Sequence, residues 1–222
     1  MGSVPAIVSF TNETTGADRL PGVMTLGYIG AFSEGLAQKI IASQGIAPLV
    51  HCLATEPADY LKSAAAWALG QIGRHTADHA KAVADAHVLP KLINVMINEK
   101  ASEDLKGKCK AALKAIISKC VFLPALEPLL LMPTTPAEIL KYLVEQYAKV
   151  LPTDLEGKKE FVSCGGLMRL QELDAAAPEG SRLKKAIQDV NQCYPPEVVQ
   201  FYKPGHKLEL MQKIEESHNS GN

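Results

Sequence analysis

Features of several common functional classes are missing from this sequence. Its five cysteines are widely spaced and form no CxxC pair, which excludes the usual zinc and thioredoxin patterns and fits reduced thiols of the cytosol. No apolar run approaches the roughly 18 residues that span a bilayer, and no secretory signal is present. With 23 basic and 24 acidic side chains, the chain lacks the basic excess that generic binding to nucleic acid or membranes needs. We therefore expect a globular protein whose partners are neither nucleic acids nor membranes.

The sequence also has no group of residues that would support catalysis or hold a metal ion. Cys164 precedes two glycines, where a nucleophile could sit, but no nearby histidine or acid accompanies it. His75 and His79 have a spacing that can chelate zinc, yet no third ligand is evident. No two acids stand out on an apolar face. We predict no enzyme activity, no catalytic or metal residues, no cofactor and no small-molecule substrate.

What the sequence does contain is a repeat. The pentapeptide LGYIG at 26–30 returns as LGQIG at 69–73, 43 residues later, and IAP at 46–48 returns as VLP at 88–90. A self-match of roughly 40–47 residues built from helices is typical of armadillo and HEAT arrays. The best-formed unit has a short helix, a long helix with apolar residues at helical spacing, and a second short helix capped by Thr76. Three helices per unit favour armadillo over two-helix HEAT.

The predicted fold is therefore all-α, a right-handed armadillo solenoid of about five units, of which the last ones are degenerate. The predicted units are 1–42, 43–86, 87–120, 121–151 and 152–193. A C-terminal extension at 194–222 is expected to cap the array, and binding of a partner is its alternative role. The first unit is predicted to lack its leading short helix. Within the extension, 198–202 is expected to be extended and 208–216 to form a short amphipathic helix.

Two glycine pairs and the apolar start of the chain carry further expectations. Glycine costs roughly 1 kcal/mol against alanine inside a helix, so Gly27, Gly30, Gly70 and Gly73 are predicted to let neighbouring long helices approach closely. The start at 4–8 is apolar, whereas the end of a solenoid is normally polar. This predicts further repeats upstream and makes self-association between arrays an expected possibility.

Four stretches together carry a specific resemblance: RLPGVMTLGYIG at 19–30, AAAWALGQIGRH at 64–75, LPALEPLLL at 123–131 and CYPPEVVQFYKPG at 193–205. They resemble the C-terminal half of the sperm-associated antigen 6 family, which are armadillo-repeat proteins of the ciliary and flagellar central apparatus. The resemblance implies a non-enzymatic structural protein of the motile axoneme. The implied partners are the central-pair (C1) microtubule, through tubulin, and other central-apparatus proteins. The implied role is central-pair stability and flagellar motility.

Two sets of residues are candidates for binding a partner. Armadillo proteins that grip extended peptides resemble one another in a Trp-x-x-x-Asn pair on successive long helices. Only Trp67 and Gln71 approximate that pair here, and the other long helices lack it. A soluble peptide-binding adaptor of the nuclear-import or signalling type therefore remains the alternative function, argued from the fold and this one pair. Packing within the array is the other interpretation of Trp67.

The second set is a stripe of lysines, Lys106, Lys110 and Lys114, spaced four residues apart on one predicted helix. One interpretation is an ordinary solvated helix face. The other is a contact for acidic surfaces such as tubulin tails, which would weaken as salt is added.

Overall fold

The computed structural model describes residues 2–206 of the chain. Across these residues the chain forms α-helices and short 3-10 turns, with no β-strand, and the predicted all-α class is confirmed. The chain divides into two compact units, Met1–Gln146 and Tyr147–Asn222, which are described separately. The unit boundaries predicted from the repeat stay a prediction.

The first unit is built from long helices that pack on one another and short helices that support them. In chain order the helices are α1 (Ser3–Glu13), α2 (Leu20–Phe32), α3 (Glu34–Ala42), α4 (Ile46–Thr55), α5 (Asp59–Gly73), α6 (Ala77–Asp85), α7 (Val88–Met96), α8 (Glu103–Ile117), α9 (Glu127–Leu131) and α10 (Ala137–Val150), the last of which runs across the division. Helix α5 packs against α2 on one side and α8 on the other. The preceding short helices, α4 and α7, pack on α5 and α8. Long helices one repeat apart are therefore neighbours, as expected.

The core of this unit follows the helical spacing seen in the sequence. On α5 the side chains of Leu61, Ala65, Leu69 and Ile72 are fully buried. The corresponding buried face of α8 is Leu105, Cys109, Leu113 and Ile116. Because burying a leucine or isoleucine side chain is worth about 1.5–3 kcal/mol, this face supplies much of the energy that holds each long helix in place.

The second unit continues with shorter helices. These are α11 (Leu155–Ser163), α12 (Gly166–Ala176), α13 (Arg182–Asn191) and α14 (Pro196–Phe201). Tyr147, Phe161 and Tyr194 form a chain of aromatic rings, with centroids 4.7 Å apart for the first pair and 6.5 Å for the second. The Tyr194 hydroxyl donates a hydrogen bond to the Lys158 carbonyl, 3.2 Å away, which ties the segment after α13 to α11.

Side chains that cap helix starts recur through both units. The oxygens of Ser33, Thr76, Ser102, Asp154 and Ser181 each accept a hydrogen bond from the backbone N–H three residues later. Such a cap is worth about 1 kcal/mol because it satisfies an N–H that has no partner inside the helix. The cap predicted at Thr76 is confirmed.

The corner between two short helices also repeats in backbone conformation. Gln44, His87 and Gly165 have positive φ angles of 59°, 53° and 89°, and each comes shortly before or directly before the next helix. Only glycine adopts this conformation without cost, so the corner is imposed by packing at Gln44 and His87. At Gly165 it belongs to the same corner, as expected from the repeat.

Two local predictions are wrong. The first predicted repeat, 1–42, does have a leading helix, α1. Pro5 is compatible with this helix because it lies in the first turn, where a missing backbone N–H costs no hydrogen bond. Residues 198–202 are not extended, because Pro196 starts α14 and presets its helical φ angle, whatever strand preference the two valines that follow suggest. The helix predicted at 208–216 lies outside the described residues.

Candidate partner-binding surfaces

The interface between α2 and α5 leaves no room for side chains at two positions. A Cβ atom added at Gly27 would lie 2.1 Å from the ring of Trp67, and one added at Gly30 would lie 2.9 Å from the Cγ1 atom of Ile72. Both distances are shorter than van der Waals contact. The predicted role of this glycine pair, close approach of neighbouring helices, is therefore confirmed.

The interface between α5 and α8 repeats this arrangement. A Cβ atom at Gly70 would lie 2.9 Å from the backbone Cα atom of Ala112, and one at Gly73 would lie 2.8 Å from the Cγ1 atom of Ile116. The four glycines form what we call the glycine seam: Gly27, Gly30, Gly70 and Gly73. The seam fixes the position of the long helices and therefore the surface that they present.

A groove of about 470 Å³ opens on the side of the first unit where α2, α5 and α8 lie next to one another. Its lining consists of Leu20, Met24, Tyr28, Tyr60, Ser63, Ala64, Trp67, Asp104 and Lys108. We call this surface the long-helix groove. Apolar side chains dominate it, and the two charged side chains both come from the first half of α8.

Aromatic rings form a wall of the long-helix groove. Tyr28 meets Trp67 edge to face, with ring centroids 5.1 Å apart, a geometry that contributes about 0.5–1.5 kcal/mol beyond burial. Tyr28 is nevertheless 62% exposed and Tyr60 is 51% exposed. Tyr28 is held against Trp67, and both tyrosines still expose at least half of their surface to a partner.

One buried polar atom in the groove has no hydrogen-bond partner. Ser63 is only 5% exposed, and its Oγ atom is bonded to nothing in the described part of the protein. Leaving a buried hydroxyl unsatisfied costs about 1–3 kcal/mol. Asp104 and Lys108, which also line the groove, make no ion pair within residues 2–206. A segment that enters the groove can therefore gain hydrogen bonds and charge pairing there as well as apolar contact.

The structure separates the two residues of the predicted tryptophan–glutamine pair. Trp67 lies in the groove and packs over Gly27, so it serves both the interface and the surface. Gln71 lies one turn further along α5, is half-buried, and is not part of the groove lining. Their joint role in binding a partner stays a prediction.

The lysine stripe is partly occupied by contacts inside the protein. Lys106 pairs with Glu103 at 3.0 Å, and Lys110 pairs with the carboxylate of Glu138 at the start of α10. The hydrogen bond with Glu138 and its negative charge raise the pKa of Lys110. These two lysines therefore join helices or stabilise a helix start, and their binding of an external partner stays a prediction.

The third lysine of the stripe differs. The ammonium group of Lys114 lies 5.6 Å from the ring centre of Tyr142 on α10 and makes no ion pair within the described residues. Its charge is therefore available to an acidic partner.

Polar contacts join one repeat to the next within the first compact unit. The buried pair Arg19–Glu56 has a 2.8 Å contact, and Arg19 Nε also donates to the Thr14 carbonyl. Further along, Asp59 accepts a 2.6 Å hydrogen bond from the backbone N–H of Ser102, 43 residues away, and this bond lowers the pKa of Asp59. Such contacts fix the register of one repeat on the next inside the first compact unit.

His75 and His79, the pair with a zinc-like spacing, belong to the same class of contact. His75 Nε2 lies 2.7 Å from the Gly30 carbonyl and His79 Nε2 lies 3.2 Å from the Glu34 carbonyl. Carbonyl oxygens only accept, so both nitrogens act as donors. Within residues 2–206 no group of three or more histidine, cysteine or acidic side chains is arranged to hold a metal ion.

Sequence comparison shows which known proteins this repeat array resembles. The armadillo/beta-catenin-like repeat family matches residues 33–74. Human sperm-associated antigen 6 is 48% identical over 164 residues, which is 74% of this chain and 31% of that protein. The mouse protein of the same name is 48% identical over the same share of the chain. The chain is an armadillo-repeat relative of sperm-associated antigen 6. It spans about a third of the length of these curated relatives.

Solved armadillo structures agree on the fold. A designed armadillo repeat protein in complex with peptide (KR)4 superposes with a TM-score of 0.60 at 20% identity, covering 96% of this chain and 91% of that one. An engineered protein superposes with a TM-score of 0.61 at 20% identity, over 96% and 89%. The stretch matched by the armadillo family holds α3, α4 and α5, which are two short helices and a long one.

Several surface residues of these armadillo repeats went unnoticed in the sequence. Tyr60, Ser63 and Ala64 precede Trp67 by one or two helical turns, so helical spacing from Trp67 would have placed them beside it. Tyr142 offered no such signal, because its contact with Lys114 joins two helices across a proline-containing linker.

Two properties bear on other functional classes. Burial raises the pKa of Cys52 to about 11 and that of Cys109 to about 12, so both thiols are protonated and unreactive at neutral pH. No helix within residues 2–206 combines the length and apolar character needed to cross a membrane.

Proposed function

We propose that this protein is a non-enzymatic scaffold of the motile axoneme, which binds the central-pair (C1) microtubule and neighbouring central-apparatus proteins. The observation that carries the proposal is the 48% identity to sperm-associated antigen 6, whose name associates it with sperm. The proposed consequence of this binding is central-pair stability and flagellar motility. Cytoskeleton and cilium are accordingly the proposed location.

Two features of the structure support a scaffold role: the glycine seam fixes the long helices, and the long-helix groove offers a surface for a partner. The glycine seam and the buried Arg19–Glu56 pair hold the long helices in fixed register. The long-helix groove then offers aromatic rings, together with the Ser63 hydroxyl and two charges that have no partner among residues 2–206, on a preformed surface. A surface that does not need to reorganise binds a partner with a smaller entropic cost.

A soluble peptide-binding adaptor is the second candidate function. It is favoured by the long-helix groove and by the armadillo fold that this chain shares with a designed protein solved with peptide (KR)4. The incomplete tryptophan–glutamine pair argues against the adaptor. Contact between arrays through the exposed Phe10 side chain near the apolar start of the chain, 45% exposed, is a proposal compatible with either function.

The two functions are separated by locating the tagged protein in a flagellated cell after detergent extraction. The scaffold proposal expects the protein to remain along the extracted axoneme, centred between the outer doublets. Loss to the soluble fraction or accumulation in the nucleus would contradict it and favour the adaptor.

A matched pair of variants connects the location to the long-helix groove. Tyr60→Ala removes an exposed ring from the groove, whereas Phe32→Ala removes an exposed ring outside it. If the groove holds the partner, the Tyr60 variant extracts more readily than the Phe32 variant. Equal extraction of the two variants would remove the groove from the proposal.

A further inference from the structure

Tyr142 on α10 is approached by two ammonium groups. Lys114 Nζ, from α8, lies 5.6 Å from the ring centre, and Lys141 Nζ, from α10 itself, lies 4.8 Å from it. The electron-rich face of an aromatic ring attracts a cation within about 6 Å of its centre. The ring therefore holds two positive charges from different helices at one place on the surface.

Within residues 2–206, no acidic side chain forms an ion pair with either of these two charges. Neither Lys114 nor Lys141 makes an ion pair within residues 2–206, whereas the neighbouring Lys110 is paired with Glu138. Lys114 is exposed, and Lys141 and Tyr142 are half-exposed, so solvent and partners reach all three. Two like charges near one ring repel each other, and a negative group placed between them relieves that repulsion.

We propose that Lys114, Tyr142 and Lys141 form a binding site for an acidic peptide segment of a partner protein, rich in glutamate or aspartate. This proposal rests on the proposed scaffold function, to which it adds the chemical class of one partner. Both ammonium groups lie within 5.6 Å of one ring centre. Carboxylates on alternate residues of an extended segment are about 6.7 Å apart, so one short segment can bring two carboxylates to this small area. The stem of each lysine and the tyrosine ring supply apolar contact beneath them.

A protein segment fits this site better than a nucleic acid does. Tight binding of nucleic acid comes from many phosphate contacts made by a strongly basic surface. Here the chain as a whole carries a net charge of −1, and among residues 2–206 two unpaired cations, Lys114 and Lys141, meet at the ring. A short acidic segment needs no wider basic field.

The test uses a fluorescein-labelled oligoglutamate peptide and its oligoglutamine counterpart, with binding to the purified chain followed by anisotropy. The expected result is binding of the glutamate peptide only. The double variant Lys114→Gln, Lys141→Gln is expected to weaken it by about tenfold, because it removes two exposed ion pairs that each contribute about threefold to the affinity. The control Lys39→Gln, Lys100→Gln removes two exposed lysines elsewhere and is expected to change affinity less than about twofold.

Salt and the tyrosine ring provide two more comparisons. Raising ionic strength from about 0.01 M to about 0.15 M shortens the screening length from about 30 Å to about 8 Å and should weaken binding. Tyr142→Phe keeps the ring and should bind as the unaltered protein does. Tyr142→Leu removes the ring and should weaken binding by about two- to fivefold. Circular dichroism confirms that each variant is folded.

Two outcomes would overturn the proposal. One is equal affinity of the double variant and the lysine control for oligoglutamate. The other is tighter binding of a single-stranded oligonucleotide that the same double variant abolishes, which would assign the site to phosphate backbones. Neither outcome depends on the location of the protein, so failure here and failure of the scaffold proposal remain distinguishable.

Discussion

Replacing glycine by alanine should have opposite effects at two positions in the long helices. Gly70, in the glycine seam, faces backbone, since an added Cβ would lie 2.9 Å from the Cα atom of Ala112 and 3.0 Å from its Cβ atom. Gly107, inside α8, faces open space, with nothing within 4 Å of an added Cβ. Both glycines carry the same entropic cost in a helix, so their difference isolates the effect of close packing.

The expected magnitudes follow from these surroundings. Gly107→Ala should stabilise the protein by about 0.5–1 kcal/mol, because alanine loses less backbone entropy on folding. Gly70→Ala gains the same amount but forces two helix backbones apart, which typically costs about 1–3 kcal/mol. Since the contacted atoms belong to a backbone that cannot rotate away, we expect a net destabilisation of about 1–2 kcal/mol. With a urea slope of about 2 kcal/mol/M, the midpoint falls by roughly 0.5–1 M.

The measurement is urea unfolding followed by circular dichroism and by the fluorescence of Trp67, which is the single tryptophan of the chain. Adding Ala112→Gly to Gly70→Ala should restore part of the lost stability, because it removes the contact at 3.0 Å and leaves the one at 2.9 Å. If Gly70→Ala is as stable as the unaltered protein while Gly107→Ala gains stability, the seam does not bring the helices as close as the structure indicates.

Three further perturbations test the contacts between successive repeats of the first compact unit. Glu56→Ala leaves the buried Arg19 without its counter-charge and should cost about 3–5 kcal/mol in urea unfolding, whereas exchanging both for apolar residues should be close to neutral. The hydrogen bond from the Ser102 N–H lowers the pKa of Asp59. The stability that this hydrogen bond adds is therefore present above the ordinary carboxylate pKa of about 3.9 and is lost as the pH falls through the lower pKa of the folded protein. Thermal melts of Asp59→Asn at falling pH should lack that loss. Trp67→Ala should leave a cavity and cost about 3–5 kcal/mol in thermal or urea unfolding, and a cost below about 1 kcal/mol would mean that the ring serves the surface alone.

The fold was predictable because glycines as well as apolar residues recur at the spacing of the repeat. Two copies of Leu-Gly-x-Ile-Gly at equal spacing identify helices that must meet closely, and the structure confirms contact at all four glycines. The leading helix α1 was missed because Pro5 and β-branched residues at its start lower helix propensity, and packing against α2, α3 and α4 outweighs that preference.

The surfaces were less predictable because they depend on pairs of residues from different helices. The stripe of Lys106, Lys110 and Lys114 is regular in sequence, yet Glu138 occupies its middle member and Tyr142 contacts its last. Spacing along one helix places three charges on one face. It does not reveal which of them the next helix neutralises.

The joints between long helices in the first unit differ in their mechanical compliance. At the α2–α5 and α5–α8 joints, glycine brings backbone or rigid ring atoms into close contact. Few rotatable side-chain atoms lie between these helices there, so the helices have little freedom to slide past one another. The α8–α10 joint instead includes the long, rotatable side chains of Lys110 and Lys114, which rest against a carboxylate and a ring. Under an imposed bend, strain should therefore gather at this third joint while the first two move as one stiff block. An array built in this way would bend at a defined place.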